Sequence, residues 1–242
     1  MRLERFKSKK LFNHDFPDVN KLNEMASNAI DIAMSRGGDQ VVVSKYGSEL
    51  EFFGGKSEAV EVGNKVRVRV FSDSLMSLIQ RASNVVIMGH VDMDMDALGS
   101  CLGIKALCDF CKKDARVVYD PKLTERKTRT ALTSLYSRDE LYKLVCSPHE
   151  AIDLVKPETV VIVCDISRPS LTMCPTILEK TDKRVVIDHH RRATEFIENP
   201  VLFYVDPGAS SSCELVAEMI RYNSVANKIP LDPTMATIML SG

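Results

Sequence analysis

Acidic and imidazole side chains recur at three places in this 242-residue sequence, each directly after a short apolar run. Gly89-His90-Val91-Asp92-Met93-Asp94-Met95-Asp96 follows Val85–Met88, Asp165 follows Val160–Cys164, and Asp188-His189-His190-Arg191-Arg192 follows Arg184–Ile187. Short continuous apolar runs fit strands buried on both faces of a parallel sheet. In such a sheet the carboxyl ends of the strands share one edge, where ligands bind. The order therefore predicts that His90, Asp92, Asp94, Asp96, Asp165, Asp188, His189 and His190 converge. So many carboxylates cannot stay ionised together without compensating positive charge. Divalent metal is the simplest source, and mixed carboxylate and imidazole ligands suit manganese or iron better than calcium or a structural zinc. The set is large enough for two ions sharing one carboxylate, an arrangement that activates water and clamps an in-line phosphoryl displacement.

Two rival readings fit less well. Asp92-x-Asp94-x-Asp96 resembles the start of a calcium loop, but Ala97 stands where that loop needs Gly and Gly103 where it needs a bidentate Glu. A solvated acidic turn would explain one run of Asp, but not Asp-His-His at another strand end.

The elements that must position these residues alternate between strand and helix. Strands are expected at Val85–Met88, Ala115–Tyr119, Val160–Cys164, Arg184–Ile187 and Val201–Val205, with helices at about 96–112, 211–222 and 233–240. Residues 122–158 are mostly polar with helical spacing. This alternation predicts an α/β fold, a doubly wound and mostly parallel sheet, over residues 73–242. A small α+β unit over residues 1–72 precedes it. There, Leu22, Met25, Ala26, Ala29, Ile30 and Ala33 form one helical face, stopped by Gly37-Gly38. Val41–Val43 and Glu49–Phe53 read as strands around a turn at Tyr46-Gly47, closed by Gly54-Gly55. Lys65-Val66-Arg67-Val68-Arg69-Val70 alternates strictly, which predicts a half-buried strand with a basic outer face. A helix carrying Leu75, Leu78 and Ile79 leads onward.

Composition narrows the function classes. Hydrophobic residues at 45% and charged residues at 27% are ordinary for a soluble globular chain. A net charge of −1 argues against a bulk nucleic-acid binder, so no duplex nucleic-acid partner is expected. No stretch approaches the roughly 18 apolar residues needed to span a bilayer, and the basic N-terminal stretch lacks the apolar core of a secretory signal. The 7 cysteines are irregularly spaced, as reduced, buried thiols of a cytosolic protein would be. Cys108-Asp-Phe-Cys111 has no second pair, and reads as packing on a helix.

His90-x-x-x-Asp94-x-Asp96, then Gly99-Ser100, then Asp165, then Asp188-His189-His190 together resemble the DHH phosphoesterase superfamily. The flanking Gly37-Gly38-Asp39-Gln40-Val41, Phe53-Gly54-Gly55-Lys56 and Arg67-Val68-Arg69, with Phe196-Ile197-Glu198-Asn199-Pro200 and Ala209-Ser210-Ser211-Ser212, resemble the bacterial membrane-anchored cyclic-di-AMP phosphodiesterases. In those a degenerate GGDEF domain precedes the DHH module. The resemblance implies a Mn2+-dependent phosphodiesterase that opens a cyclic dinucleotide, cyclic-di-AMP, to linear pApA. It implies that His90, Asp94 and Asp165 hold one ion and Asp96, Asp165 and His189 a second, with Asp92 behind them. Asp188 would orient the His pair, and His190 would donate a proton or contact phosphate. Arg191 and Arg192 would offer forks to phosphate. Gln40 and Val41 stand where a working GGDEF cyclase needs acid, so the first unit is expected to regulate, dimerise or pack rather than to cyclise.

Ser211-x-x-Glu214 has capping-box spacing. Ser210, Ser211 and the amides of that helix start also suit a phosphate, and Gly99-Ser100 admits the same double reading. The resemblance further implies a remnant of a GGDEF-like domain at one end. At the other it implies an absent Asp ligand and an absent DHH-associated substrate domain. A weakly active or inactive chain, or a non-catalytic nucleotide- or metal-binding remnant, is then the alternative. Oligoribonuclease, exonuclease and pyrophosphatase are the other activities open to the superfamily. A site on the cytoplasmic side is expected, on a soluble chain whose full-length relatives are anchored to the inner membrane, and a homodimer is one assembly open to it.

Overall fold

The computed structural model describes residues 19–35, 40–44, 51–54, 57–191, 194–227, 229 and 231–242. The chain divides into two units, Met1–Gly63 and Asn64–Gly242.

In the first unit, α1 (Val19–Ser35) precedes an antiparallel hairpin of β1 (Gln40–Val43) and β2 (Glu51–Gly54), with Val41 opposite Phe53. Among the side chains described in α1, Leu22, Met25, Ala29 and Ile32 are sheltered, whereas Ala26 is exposed and Ile30 is 62% exposed. The described part of the stripe thus omits Ala26 and Ile30 and takes in Ile32; the Ala33 side chain lies outside the described residues. Gly37-Gly38, Tyr46-Gly47, Gly55 and Lys56 lie outside the described residues.

Lys65–Val70 is not a strand: it lies inside α2 (Ser57–Arg81). Its alternation covers six residues, but Val68, Phe71, Ser72, Leu75, Met76, Ile79 and Ala82 recur at helical spacing and are all buried. Burying each large apolar side chain contributes roughly 1.5–3 kcal/mol. Strand propensities span only about 1 kcal/mol, so the longer stripe decides the conformation. The division between the units accordingly falls within this helix rather than at residue 72.

The second unit is built on one sheet. β3 (Val85–Met88), β4 (Ala115–Val118), β5 (Val145–Cys146), β6 (Val160–Cys164), β7 (Arg184–Asp188) and β8 (Leu202–Val205) run in the order β5-β4-β3-β6-β7-β8. Every neighbouring pair is parallel. All residues of β3 and β6 are buried, which explains their continuous apolar runs. The expected α/β fold is therefore the observed one. β5 has no counterpart among the expected strands, because two residues carry no periodicity. The strand order reverses between β3 and β6, and a ligand crevice opens at the carboxyl ends of strands at such a switch point.

The helices of this unit are α3 (Met95–Phe110), α4 (Arg126–Leu135), α5 (Arg138–Leu144), α6 (Pro148–Leu154), α7 (Ser212–Asn227) and α8 (Pro233–Met239). α3 is buried along most of its length. A Cβ at Gly99 would lie 2.6 Å from Cys213 Sγ, and one at Gly103 would lie 2.5 Å from Val216 Cγ1. Both distances are far inside van der Waals contact, so these glycines let α3 approach α7 closely. Gly99 sits in a helix–helix contact, and Ser100 beside it is buried. All seven cysteines are free, and burial pushes the Cys108 thiol far above its usual range. No helix among the described residues is long and apolar enough to cross a membrane.

Candidate metal centre

After β3 the chain turns through Gly89–Asp94 into α3. Hydrogen bonds to two neighbouring segments fix that turn: Val91 N to Leu171 O, Met173 N to Gly89 O, Met93 N to Leu123 O and Glu125 N to Met93 O. Asp92 holds a left-handed φ of 57° within it. Asp94 is the N-cap of α3, its Oδ1 accepting from Ala97 N at 2.9 Å. One carboxylate therefore closes a helix and faces the site. Asp96 follows in the first turn.

The His90 ring is oriented by its own loop. Nδ1 donates to Val91 O at 2.6 Å, which turns Nε2 to the acids, 3.6 Å from Asp94 Oδ1 and 3.5 Å from Asp165 Oδ2. Asp165 follows β6 directly with φ 62°, its amide donating to Ile187 O, and is only 2% exposed. Burial works against a charged His90, but the hydrogen bonds to Asp165 and then Asp94 outweigh it and push the imidazole up to about 10. The same bond from His90 holds Asp94 below the usual carboxylate range. Burial moves Asp165 the other way, upward, against the bond from His90. Without a metal, protonated His90 supplies the positive charge these acids require.

β7 delivers the third group. Asp188 is fully buried, and its Oδ1 accepts from His190 N at 3.0 Å and from His190 Nδ1 at 2.8 Å. His190 Nδ1 is thereby committed, leaving Nε2 as the ring atom available for chemistry on a side chain 55% exposed. His189 turns the other way. Its Nε2 lies 3.4 Å from Asp165 Oδ1 and 3.5 Å from Asp96 Oδ2.

These distances test whether a divalent ion fits. One ligand atom from each of His90, Asp94 and Asp165 lies within 4.8 Å of the others, and the same holds for Asp165, His189 and His190, a group that takes in His190 where Asp96 is expected. Asp165 belongs to both groups. Asp188 Oδ2 is buried without a hydrogen-bond partner among the described residues. Carboxylate oxygens and imidazole nitrogens converging on a shared, buried Asp are a donor set that fits such an ion. The crevice beside them, about 450 Å3, is lined also by Val91, Asp92, Ile166, Arg168, Leu171 and Arg191. Arg192 lies outside the described residues.

The start of α7 differs from its expected use. Ser211 Oγ accepts from Glu214 N at 3.1 Å, but Glu214 Oε2 reaches Ser210, accepting from its N and Oγ at 2.7 Å each. The first half of the expected box thus forms, and its return bond is displaced by one residue, to Ser210. The amides that a phosphate would use are committed to protein: Ser212 N donates to Asp96 Oδ2 at 2.8 Å and Cys213 N to Asp96 Oδ1 at 2.7 Å. Ser212 Oγ donates to Asp165 Oδ1 at 2.9 Å. Sequence reasoning passed over Ser212, Cys213 and Arg168. The position of α7 after a strand and the Ala209-Ser210-Ser211-Ser212 run within the resemblance are the signals that its start reaches this edge.

Comparison with known proteins decides the family. Residues 84–242 match the family described as DHH family, N-terminal domain. The chain belongs to the DHH family. This DHH chain is 35% identical over 224 residues to cyclic-di-AMP phosphodiesterase GdpP of Bacillus subtilis (strain 168), covering 93% of the chain and 34% of that protein. It is 38% identical to the protein of the same name from Geobacillus thermodenitrificans (strain NG80-2), over 92% of the chain and 33% of that protein. Identity is 33% to cyclic-di-AMP phosphodiesterase PdeA of Listeria monocytogenes, over 93% of the chain and 34% of that protein. The DHH chain therefore spans about a third of the length of these curated relatives. Its fold matches a crystal structure of an exopolyphosphatase-related protein from Bacteroides fragilis with a TM-score of 0.58 at 21% identity, over 72% of this chain and 48% of that one.

Proposed function

We propose that this DHH protein is a Mn2+-dependent phosphodiesterase that opens cyclic-di-AMP to linear pApA. The observation that carries the reading is Asp165, whose two carboxylate oxygens face different imidazoles at the switch point of the sheet: Oδ2 lies 3.5 Å from His90 Nε2 and Oδ1 lies 3.4 Å from His189 Nε2. The names of the relatives support cyclic-di-AMP as the substrate.

His90, Asp94 and Asp165 would hold one ion, and Asp96, Asp165 and His189 a second, with Asp92 lining the crevice behind them. Bound there, the ions supply Lewis-acid charge that activates water and neutralises the phosphate. The chain's own residues do the rest. His190 Nε2 holds a proton for the ribose 3′ oxygen as its bond to phosphorus breaks. Asp188 keeps that ring in one tautomer and stabilises its cationic form, a carboxylate–imidazole role. Arg191, with Arg192 beyond it, offers guanidinium forks to the phosphates. Ser210 and Ser211 frame the same edge through Glu214. The first unit is read as a degenerate GGDEF-like module without cyclase chemistry, since Gln40 and Val41 carry no carboxylate. Seven free thiols support a reducing, cytoplasmic surrounding.

The test is hydrolysis with Mn2+ of cyclic-di-AMP, pApA and pyrophosphate in parallel. Consumption of the cyclic dinucleotide with accumulation of pApA is the expected result. Faster turnover of pyrophosphate or pApA would overturn the substrate assignment.

A further inference from the structure

The start of α7 joins two carboxylates that arrive from different elements. We infer that Ser212 is a positioning residue of the metal centre: its hydroxyl aims the shared Asp165 carboxylate, and its amide holds Asp96 in register with it. The inference rests on the metal reading above and adds a residue which that reading does not use.

Three features carry it. Ser212 is fully buried, so its hydroxyl has no solvent to bond and its contact with Asp165 Oδ1 at 2.9 Å is directional. The same residue donates its amide to Asp96 Oδ2 at 2.8 Å. One residue therefore fixes the relation between an acid at the end of β6 and an acid in the first turn of α3. Cys213 completes the grip, giving its amide to Asp96 Oδ1 and its thiol to Asp96 O at 3.4 Å. Asp165 Oδ2, the oxygen that Ser212 does not touch, faces His90 Nε2 at 3.5 Å. Asp165 Oδ1, which it does touch, lies 3.4 Å from His189 Nε2. A hydroxyl on Oδ1 thus sets which oxygen faces which imidazole. A capping role alone would not need this hydroxyl, because Ser211 supplies the local cap to Glu214 N. Groups that orient ligands typically change metal affinity by about ten- to hundredfold when removed.

The experiment titrates Mn2+ into the protein and counts free ion by its electron paramagnetic resonance signal, with no substrate present. Ser212→Ala is expected to weaken Mn2+ binding by about ten- to hundredfold, while the metal-free variant keeps one cooperative unfolding transition. Ser212→Thr, which retains a hydroxyl, is expected to bind close to the unaltered protein. Unchanged affinity in Ser212→Ala would overturn the inference and leave the metal reading standing, as would a folded Ser212→Thr that binds as weakly as the alanine variant. If the unaltered protein binds no Mn2+, both fall together.

Discussion

α3 and α7 both begin at the candidate metal centre, and their first turns are closed in different ways. Asp94, immediately before α3, accepts from Ala97, three residues on. α7 has a local bond of the same kind between Ser211 and Glu214, but its first two amides reach Asp96, 116 and 117 residues away. A local cap can form in a short peptide. A distant one forms only after the sheet has brought its partner into place. The start of α3 is thus a property of its own sequence, and the start of α7 is a property of the assembled edge.

Replacing the acid shared by both ligand groups should have the largest effect. Asp165→Asn removes the charge common to both ligand groups, so hydrolysis should fall on the order of a thousandfold or more. Calorimetry should show Mn2+ uptake lost from both groups. Survival of one tight Mn2+ per chain would show that the groups are independent. Next in size is His190→Ala, which lies outside the helix starts. Turnover should fall by about a hundredfold or more while Mn2+ affinity stays near that of the unaltered protein, because His190 Nδ1 is committed to Asp188. A matching loss of affinity would make His190 a ligand.

A smaller effect concerns pH. His90 must lose its proton to bind metal, and its pKa in the metal-free protein is raised to about 10. Below that value binding releases about one proton, so Mn2+ affinity should rise about tenfold per pH unit across the neutral range. Isothermal titration at several pH values reads this slope, and a flat profile would contradict the raised value. The smallest effect separates the two helix starts directly. Asp94→Asn retains a good N-cap, so in chelator it should lose only the partly exposed pairing with His90, about 1 kcal/mol or less. Asp96→Asn places an amide group against two donors at the start of α7 and should cost about 1–2 kcal/mol in urea unfolding. Equal losses in the two variants would erase the contrast between local and distant caps.

The same contrast explains what could be read in advance. β3, β6 and β7 were legible because double-sided burial leaves continuous apolar runs, and each run points straight at its acids. His90, Asp94, Asp165 and Asp188-His189-His190 came with them. Ser212 was illegible because its partner Asp165 is set by three-dimensional packing, and no spacing within the segment encodes it. Lys65–Val70 misled for a related reason. Its alternation is real, but a six-residue window cannot weigh it against the stripe from Val68 to Ala82, which extends well past it. Arg168 lines the crevice from a turn with no periodic signal at all.

Asp92 and Asp165 hold φ values of 57° and 62°, where side chains with a Cβ rarely sit and Asp and Asn are among the few that tolerate it. At position 165 this limits exchange in a way that charge does not. Glu keeps the carboxylate, but it lacks the short side chain that eases this backbone, and it carries its oxygens one bond too far. A transplant of this centre to another parallel sheet would therefore start by copying a left-handed kink at the end of β6, one of the two central strands, before choosing any ligand.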